Sequence, residues 1–216
     1  NLQDHPKVFV VWSTVPDYEY HLDRKRLQLA LRYTASESHQ RNDMAVYMDS
    51  ISTGRLDRGG DAKKPIGVEM NLVLHSADSR GEIRLNSTDV TDQPLIEPRD
   101  LMRMRDGVRR LVIIGERPEF RMIADEMIQP TADIVDIDQV LDEWIRREVV
   151  TGHHISSSNM MGVESNPSAV VDQYGVVRGV AGLRVIDASI MPTCVRANIN
   201  ATVIAMAERM AELIMN

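Results

Sequence analysis

The densest chemistry in this chain lies in VTGHHISSSNMMG, Val150 to Gly162, which holds adjacent His153 and His154, three successive serines and a Met-Met-Gly end. Imidazole titrates near neutrality, so a histidine can move a proton, ligate a metal or sit hydrogen-bonded in a core. Two adjacent histidines lack the three- or four-residue spacing that places two ligands on one helix face. No HExxH string or cysteine cluster accompanies them. Ser156 to Ser158 lack the G-x-S-x-G setting of a nucleophile elbow. The residues alone leave two readings open: a catalytic base beside a bystander, or one buried and one exposed structural histidine.

A second stretch follows, VVDQYGVVRGVAGLRVIDASIMPTCVRANINAT, from Val170 to Thr202. Gly179 and Gly182 form a turn between two Val-rich strands, and Pro192 ends the second. Asn198 and Asn200 then lie where the N-cap of an amphipathic helix is expected. A helix start carries open N–H groups and about half a positive charge, which suits an anion or an electron-rich carbonyl. Helix capping alone is the plainer reading of Asn-Ile-Asn.

These segments need a scaffold. Val8–Trp12, Leu27–Tyr33, Met44–Ile51 and Val68–His75 read as strands, and Ser79–Leu85 as a strand forming a hairpin-like pair with the last of these. Ser52–Gly67, rich in glycine and charge, reads as a loop. Met104, Val108, Leu111 and Ile114 recur at helical spacing and predict a helix over Leu101–Gly115, broken by Pro118. Asp138–Arg147 is a shorter helix. In the last helix Val203, Ile204, Ala207, Met210, Ala211 and Ile214 form an apolar stripe. Strands and helices do not alternate regularly, so the class is α+β and not a complete doubly wound fold.

Composition narrows the function. Of 216 residues, 43% are hydrophobic and 26% charged, as in a water-soluble globular domain. Twenty-five basic against 32 acidic side chains leave a net charge of −7, which argues against a nucleic-acid surface. No apolar run has the length of a membrane span. Cys194 is the one cysteine, which excludes an internal disulfide framework and fits a reducing compartment, although no localisation is specified. Only 4% of residues are aromatic. Trp12, Tyr18 and Tyr20 are read as packing residues and not as a cage for a quaternary ammonium. The chain opens on Asn1 and enters apolar sequence within a few residues, as if begun in the middle of a longer protein.

The ordered strings H-x-x-S-S-x-x-M-G, V-V-D-x-x-G-x-V-x-G-V-x-x-L-R-V-x-D-A-S-x-M-P, N-x-N-A-T and A-E-R-x-A-x-L-I together resemble the C-terminal half of the glucose–methanol–choline (GMC) oxidoreductases, which are FAD-dependent alcohol oxidases and dehydrogenases. LRYTASESHQRNDMAVYMDS and SRGEIRLNSTDVTDQPLIEP resemble that family's substrate-domain segments. The resemblance implies an antiparallel substrate-domain sheet with helices, mostly in residues 1–148, and the C-terminal part of an FAD-binding α/β domain in 149–216. No G-x-G-x-x-G dinucleotide cradle is found, so the implied partners are a small-molecule alcohol and an N-terminal FAD-binding part or chain of the same enzyme.

The same resemblance selects between the histidines. The family's catalytic histidine lies seven positions before the methionine of Met-Gly, which is His154 counted from Met161. Its second catalytic position, histidine or asparagine, corresponds to Asn198, and the His–Asn form is similar to choline oxidases and dehydrogenases. Asp187, Ala188, Asn198, Ile199, Asn200 and Thr202 match positions that contact the flavin. Ile155 stands where proline is common, Ser157 and Ser158 replace Gly-Thr, and Met160 stands where a basic residue is frequent. The implied reaction is alcohol oxidation to a carbonyl by hydride transfer to flavin N5. A GMC-type hydroxynitrile lyase and a non-catalytic fragment or subunit are the alternatives.

Overall fold

A computed structural model of the chain describes residues 1–23, 25–36, 38–54, 59–61, 63–81 and 98–215. It divides into two compact units. One comprises Asn1–Pro6, His75–Glu97 and Thr151–Asn216, the other Lys7–Leu74 and Pro98–Val150.

The second unit is a sheet with helices. Strands β1 (Pro6–Thr14), β2 (Leu27–Tyr33), β3 (Met44–Ser52), β4 (Gly67–Leu74) and β5 (Ala124–Gln129) run in the order β2-β3-β4-β1-β5, each adjacent pair antiparallel. β4 is central, pairing Val73 with Lys7 of β1 on one edge and with Ala45 of β3 on the other. Both its edges are therefore taken by β1 and β3, which leaves no open edge for the hairpin expected with Ser79–Leu85. Only Ser79–Gly81 of that segment lies within the described residues, and Gly81 bridges Leu2 instead. The loop over Ser52–Gly67 likewise lies partly outside them.

Helix α1 (Pro98–Gly115) packs its apolar stripe on the sheet, with Leu101, Met104, Val108 and Leu111 all buried. A Cβ at Gly107 would stand 2.5 Å from Leu72 Cδ2, and one at Gly115 would stand 2.7 Å from the Trp12 ring. Glycine at these two positions lets the helix approach β4 and β1 closely. Trp12 is buried edge-to-face against Phe120, their centroids 5.0 Å apart, so it is a packing residue as its sequence context predicts. Pro118 occupies the first turn of α2 (Pro118–Arg121), where its missing N–H costs nothing. After α3 (Ala132–Val135), α4 (Asp138–Glu148) buries Leu141, Trp144 and Ile145. Its first residue, Asp138, pairs with Arg105 and with Arg109 of α1, the latter at 2.7 Å.

The first unit has less regular structure. The Val-rich stretches around Gly179 and Gly182 make isolated bridges, Val171 with Val177 and Val176 with Arg184, and not full strands. Asp172 Oδ1 accepts the N–H groups of Tyr174 and Val176 and closes the turn between them. Helix α5 (Asn200–Met215) packs Met206, Met210 and Leu213 onto Val171 and Ile190. This corrects the stripe read from sequence, because Ile204 and Ile214 are half exposed and Ala207 and Ala211 face outward. The period is helical as expected. Apolar residues surround most of the helix, so its packing partners decide which face is buried.

Candidate active site

Five side chains distant in sequence converge in the first unit: Gln3, His5, His75, His154 and Cys194. His5 is fully buried. Its Nδ1 lies 2.8 Å from His154 Nδ1, and its Nε2 lies 3.1 Å from Cys194 Sγ. The His5 ring meets His154 nearly edge-on at a centroid distance of 4.8 Å and His75 at 4.7 Å. Asp4 sets the backbone here, its Oδ1 accepting the N–H of His5 at 2.7 Å and that of His154 at 3.0 Å. A Cβ on Gly152 would lie 2.6 Å from the His5 carbonyl oxygen, so glycine is what permits the two segments to run this close.

The two adjacent histidines are separated by the backbone between them. His153 adopts φ 61° and is exposed, with its N–H donating to Thr151 Oγ1 at 2.9 Å. The left-handed conformation turns the chain, so His154 is half-buried and reaches His5. Burial, reinforced by the neighbouring His154, drives the His5 imidazole down to about 4, and His5 is neutral at pH 7. Burial also pushes the Cys194 thiol up, which keeps it as S–H.

The segment after His154 is laid along the turn that holds Asp187 and Ala188. Ser157 N–H donates to Ala188 O at 3.2 Å, Asn159 N–H to Ser189 O at 2.9 Å, and Met161 N–H to Ile190 O at 2.8 Å. Asp187 is exposed and caps the 3₁₀ turn Ala188–Ile190, accepting the Ser189 N–H at 2.8 Å. Ala188 is half-buried.

Asn198 is reached through Cys194. The Cys194 N–H donates to Gln3 Oε1 at 3.0 Å, and its thiol donates to the His154 carbonyl at 3.7 Å. Cys194 thereby holds the strand-like segment of His154 and the loop leading to Asn198 together. Asn198 and Asn200 are exposed, Ile199 and Thr202 half-buried. The first helical bond runs from Val203 N–H to Ile199 O at 2.9 Å, so Ile199, lying between the two asparagines, is the N-cap residue by backbone position. The expectation of an asparagine at that position is corrected by one residue. The first-turn N–H groups of α5 have no carbonyl one turn ahead of them, so they face outward as donors.

The matching family model, described as GMC oxidoreductase, covers residues 77–207, which include His154, Asp187 and Asn198. The chain belongs to the GMC oxidoreductase family. Relatives include oxygen-dependent choline dehydrogenases. That of Vibrio vulnificus (strain YJ016) is 33% identical over 156 residues, covering 69% of this chain and 28% of the relative. That of Pseudomonas aeruginosa (strain UCBPP-PA14) is 33% identical over 205 residues, covering 92% of this chain and 31% of the relative. The chain thus spans under a third of the length of these relatives. Among solved structures, pyridoxine 4-oxidase from Mesorbium loti superposes with a TM-score of 0.77 at 23% identity, covering 99% of this chain and 42% of that one. Formate oxidase from Aspergillus oryzae RIB40 gives 0.78 at 19%, covering 99% and 46%. These likenesses show that the chain shares its α+β fold with the corresponding parts of those solved structures.

Sequence reasoning did not single out His5, Gln3 or a role for Cys194. The available signal was LQDHP, an Asp-His pair near the chain start, but nothing in its spacing points to a partner 149 positions away.

Proposed function

We propose that this chain carries the proton-handling and flavin-contacting residues of an FAD-dependent enzyme that oxidises an alcohol to a carbonyl. The observation that carries the reading is His154, half-buried and tied through Nδ1 to a buried, neutral His5. An alcohol gives up a hydride readily only once its hydroxyl proton is lost or shared, and a positioned imidazole suits that task. His154 accepts this proton. Asn198 donates a hydrogen bond to the same oxygen and holds it in line.

The residues present fit FAD. The outward-facing N–H groups at the start of α5, with Asn198, Ile199, Asn200 and Thr202 around them, form a donor set suited to the electron-rich carbonyl edge of a flavin. Asp187 and Ala188 lie on the 3₁₀ turn laddered to the His154 segment and would hold the ribityl–pyrophosphate side. When bound, FAD supplies the hydride acceptor at its N5. On this reading residues 149–216 form the flavin side of the enzyme and residues 1–148 mostly the substrate side. The compact unit that contains Thr151–Asn216 also takes in Asn1–Pro6 and His75–Glu97, so that side draws on earlier segments of the chain as well.

Choline is the first alcohol to test, because the relatives at 33% identity are choline dehydrogenases. Anaerobic mixing of the flavin-loaded protein with an alcohol panel checks the reaction. Bleaching of the flavin absorption with release of the matching aldehyde or ketone is expected. A flavin that stays oxidised with every primary and secondary alcohol overturns the proposal.

A further inference from the structure

We infer that His5 acts as a positioning residue that fixes the tautomer of His154, by accepting the His154 Nδ1 proton and so leaving Nε2 as the proton-accepting nitrogen. The inference rests on the reading of His154 as the base, and it concerns a residue that sequence motifs did not indicate.

Three hydrogen-bonding contacts bear on the tautomer. The contact of 2.8 Å between the Nδ1 atoms of His5 and His154 holds one proton, because two protons would clash and none would leave two lone pairs opposed. Two arrangements are open, with the proton on either ring. The far side of His5 separates them. Cys194 keeps its thiol proton, and the His154 carbonyl, 3.7 Å from its sulfur, can only accept, so that contact takes the S–H. On that assignment its sulfur faces His5 Nε2, 3.1 Å away, as an acceptor. His5 Nε2 carries the proton and donates it.

A buried, neutral His5 has one ring proton, and with that proton on Nε2 its Nδ1 is a lone pair. His154 Nδ1–H must then be the donor across the contact. The result is a closed circuit of three donors: His154 Nδ1–H to His5 Nδ1, His5 Nε2–H to Cys194 Sγ, and Cys194 Sγ–H to the His154 carbonyl. Every member is satisfied in this sense of rotation, and in the reverse sense the thiol would have to abandon the carbonyl.

The chemical consequence is balanced and local. When His154 acts, the alcohol O–H bond breaks and a Nε2–H bond forms, giving an imidazolium. Its Nδ1–H stays on His154 and its charge is stabilised by the His5 lone pair. His5 remains neutral throughout. With the opposite tautomer, Nε2 would already be protonated and unable to accept.

The test is a tautomer measurement on the flavin-loaded protein labelled with ¹⁵N-histidine, using long-range ¹H–¹⁵N spectra, alongside kinetics of two variants. Wild-type His154 is expected as the Nδ1–H tautomer. His5→Phe, which keeps a ring and removes the acceptor, should move His154 toward Nε2–H. It should also lower kcat/KM by about 10- to 100-fold at neutral pH, at or below the lower end of what a general base contributes. His5→Gln, whose side-chain carbonyl can accept the same proton, should recover tautomer and rate together. A wild-type His154 in the Nε2–H form overturns the inference, and that readout stands even where a variant fails to fold. So does an unchanged His154 tautomer in His5→Phe. If His154→Ala retains its rate, the base reading itself fails. If His154→Ala is inactive while His5→Phe is unaffected, only the role of His5 fails.

Discussion

The Nδ1 atoms of His5 and His154 lie 2.8 Å apart although 149 positions separate them in the chain. One of these rings is fully buried and held neutral; the other is half-buried and preceded by a left-handed residue that turns it inward. A proton-accepting imidazole needs a second ring nitrogen tied to something that does not titrate in the working range, and His5 with its depressed pKa meets that need.

The two adjacent histidines should differ sharply in function. His154→Ala is expected to lower turnover by about 10²–10⁴-fold, the usual worth of general acid–base assistance. His153→Ala should be mild, because that side chain is exposed and its backbone N–H makes the bond to Thr151. Steady-state kinetics of both variants with the best alcohol of the panel would decide, and a His154→Ala rate within about threefold of wild type refutes the assignment.

Stability should fall in mild acid because of His5. In the unfolded chain this imidazole titrates near 6.5 and in the folded one near 4, so between those values the unfolded state binds more protons. Stability from this group is therefore complete above pH 6.5 and lost as the pH drops toward 4. The drop from 6.5 to about 4 corresponds to about 3 kcal/mol. Urea unfolding across this range, comparing wild type with His5→Gln, isolates the term. The wild-type advantage should shrink steadily toward pH 4, and a constant difference contradicts the buried neutral assignment.

Asp187 combines a structural bond with a proposed cofactor contact, and two substitutions separate them. Asp187→Ala removes the acceptor for the Ser189 N–H and should cost about 0.5–2 kcal/mol as a lost cap. Asp187→Asn keeps an acceptor oxygen and removes only the charge, so the fold should hold. If the carboxylate contacts FAD, the asparagine variant should lose flavin on desalting while its unfolding midpoint stays near wild type. Full flavin retention by this variant would leave Asp187 as a cap alone.

A buried ion cluster in the sheet unit should be sensitive to removal of its cation. Arg103 donates to Asp43 at 3.2 Å and pairs with Asp100, and both carboxylates are fully buried. Asp43 also accepts the Ala35 N–H at 3.0 Å and the Ser38 hydroxyl at 2.6 Å. Arg103→Met leaves two buried carboxylates without their cation and should cost about 3–5 kcal/mol. Thermal unfolding measures it, and a loss below about 1 kcal/mol would show that water or a rearranged side chain replaces the guanidinium.

Much of this protein is local physics and was legible as such. Strand β2 spans Leu27–Tyr33, the bounds its β-rich run predicts, and α4 begins at Asp138 as its apolar spacing predicts. The family was readable because its strings from His154 to Thr202 are ordered and long. What depended on distant partners was not readable. Gly81 reads in the sequence as part of a hairpin beside β4, but β1 and β3 occupy both edges of that strand and Gly81 bridges Leu2. Ile204 and Ile214 match the helical period as well as Met210 does, and only the packing against Val171 and Ile190 determines that Met210 is buried. His5 was invisible for the same reason. Periodicity and spacing report on neighbours within a few residues, whereas burial, pKa and the direction of a proton are set by whatever the folded chain brings alongside, here His154 and Cys194 from 149 and 189 positions away.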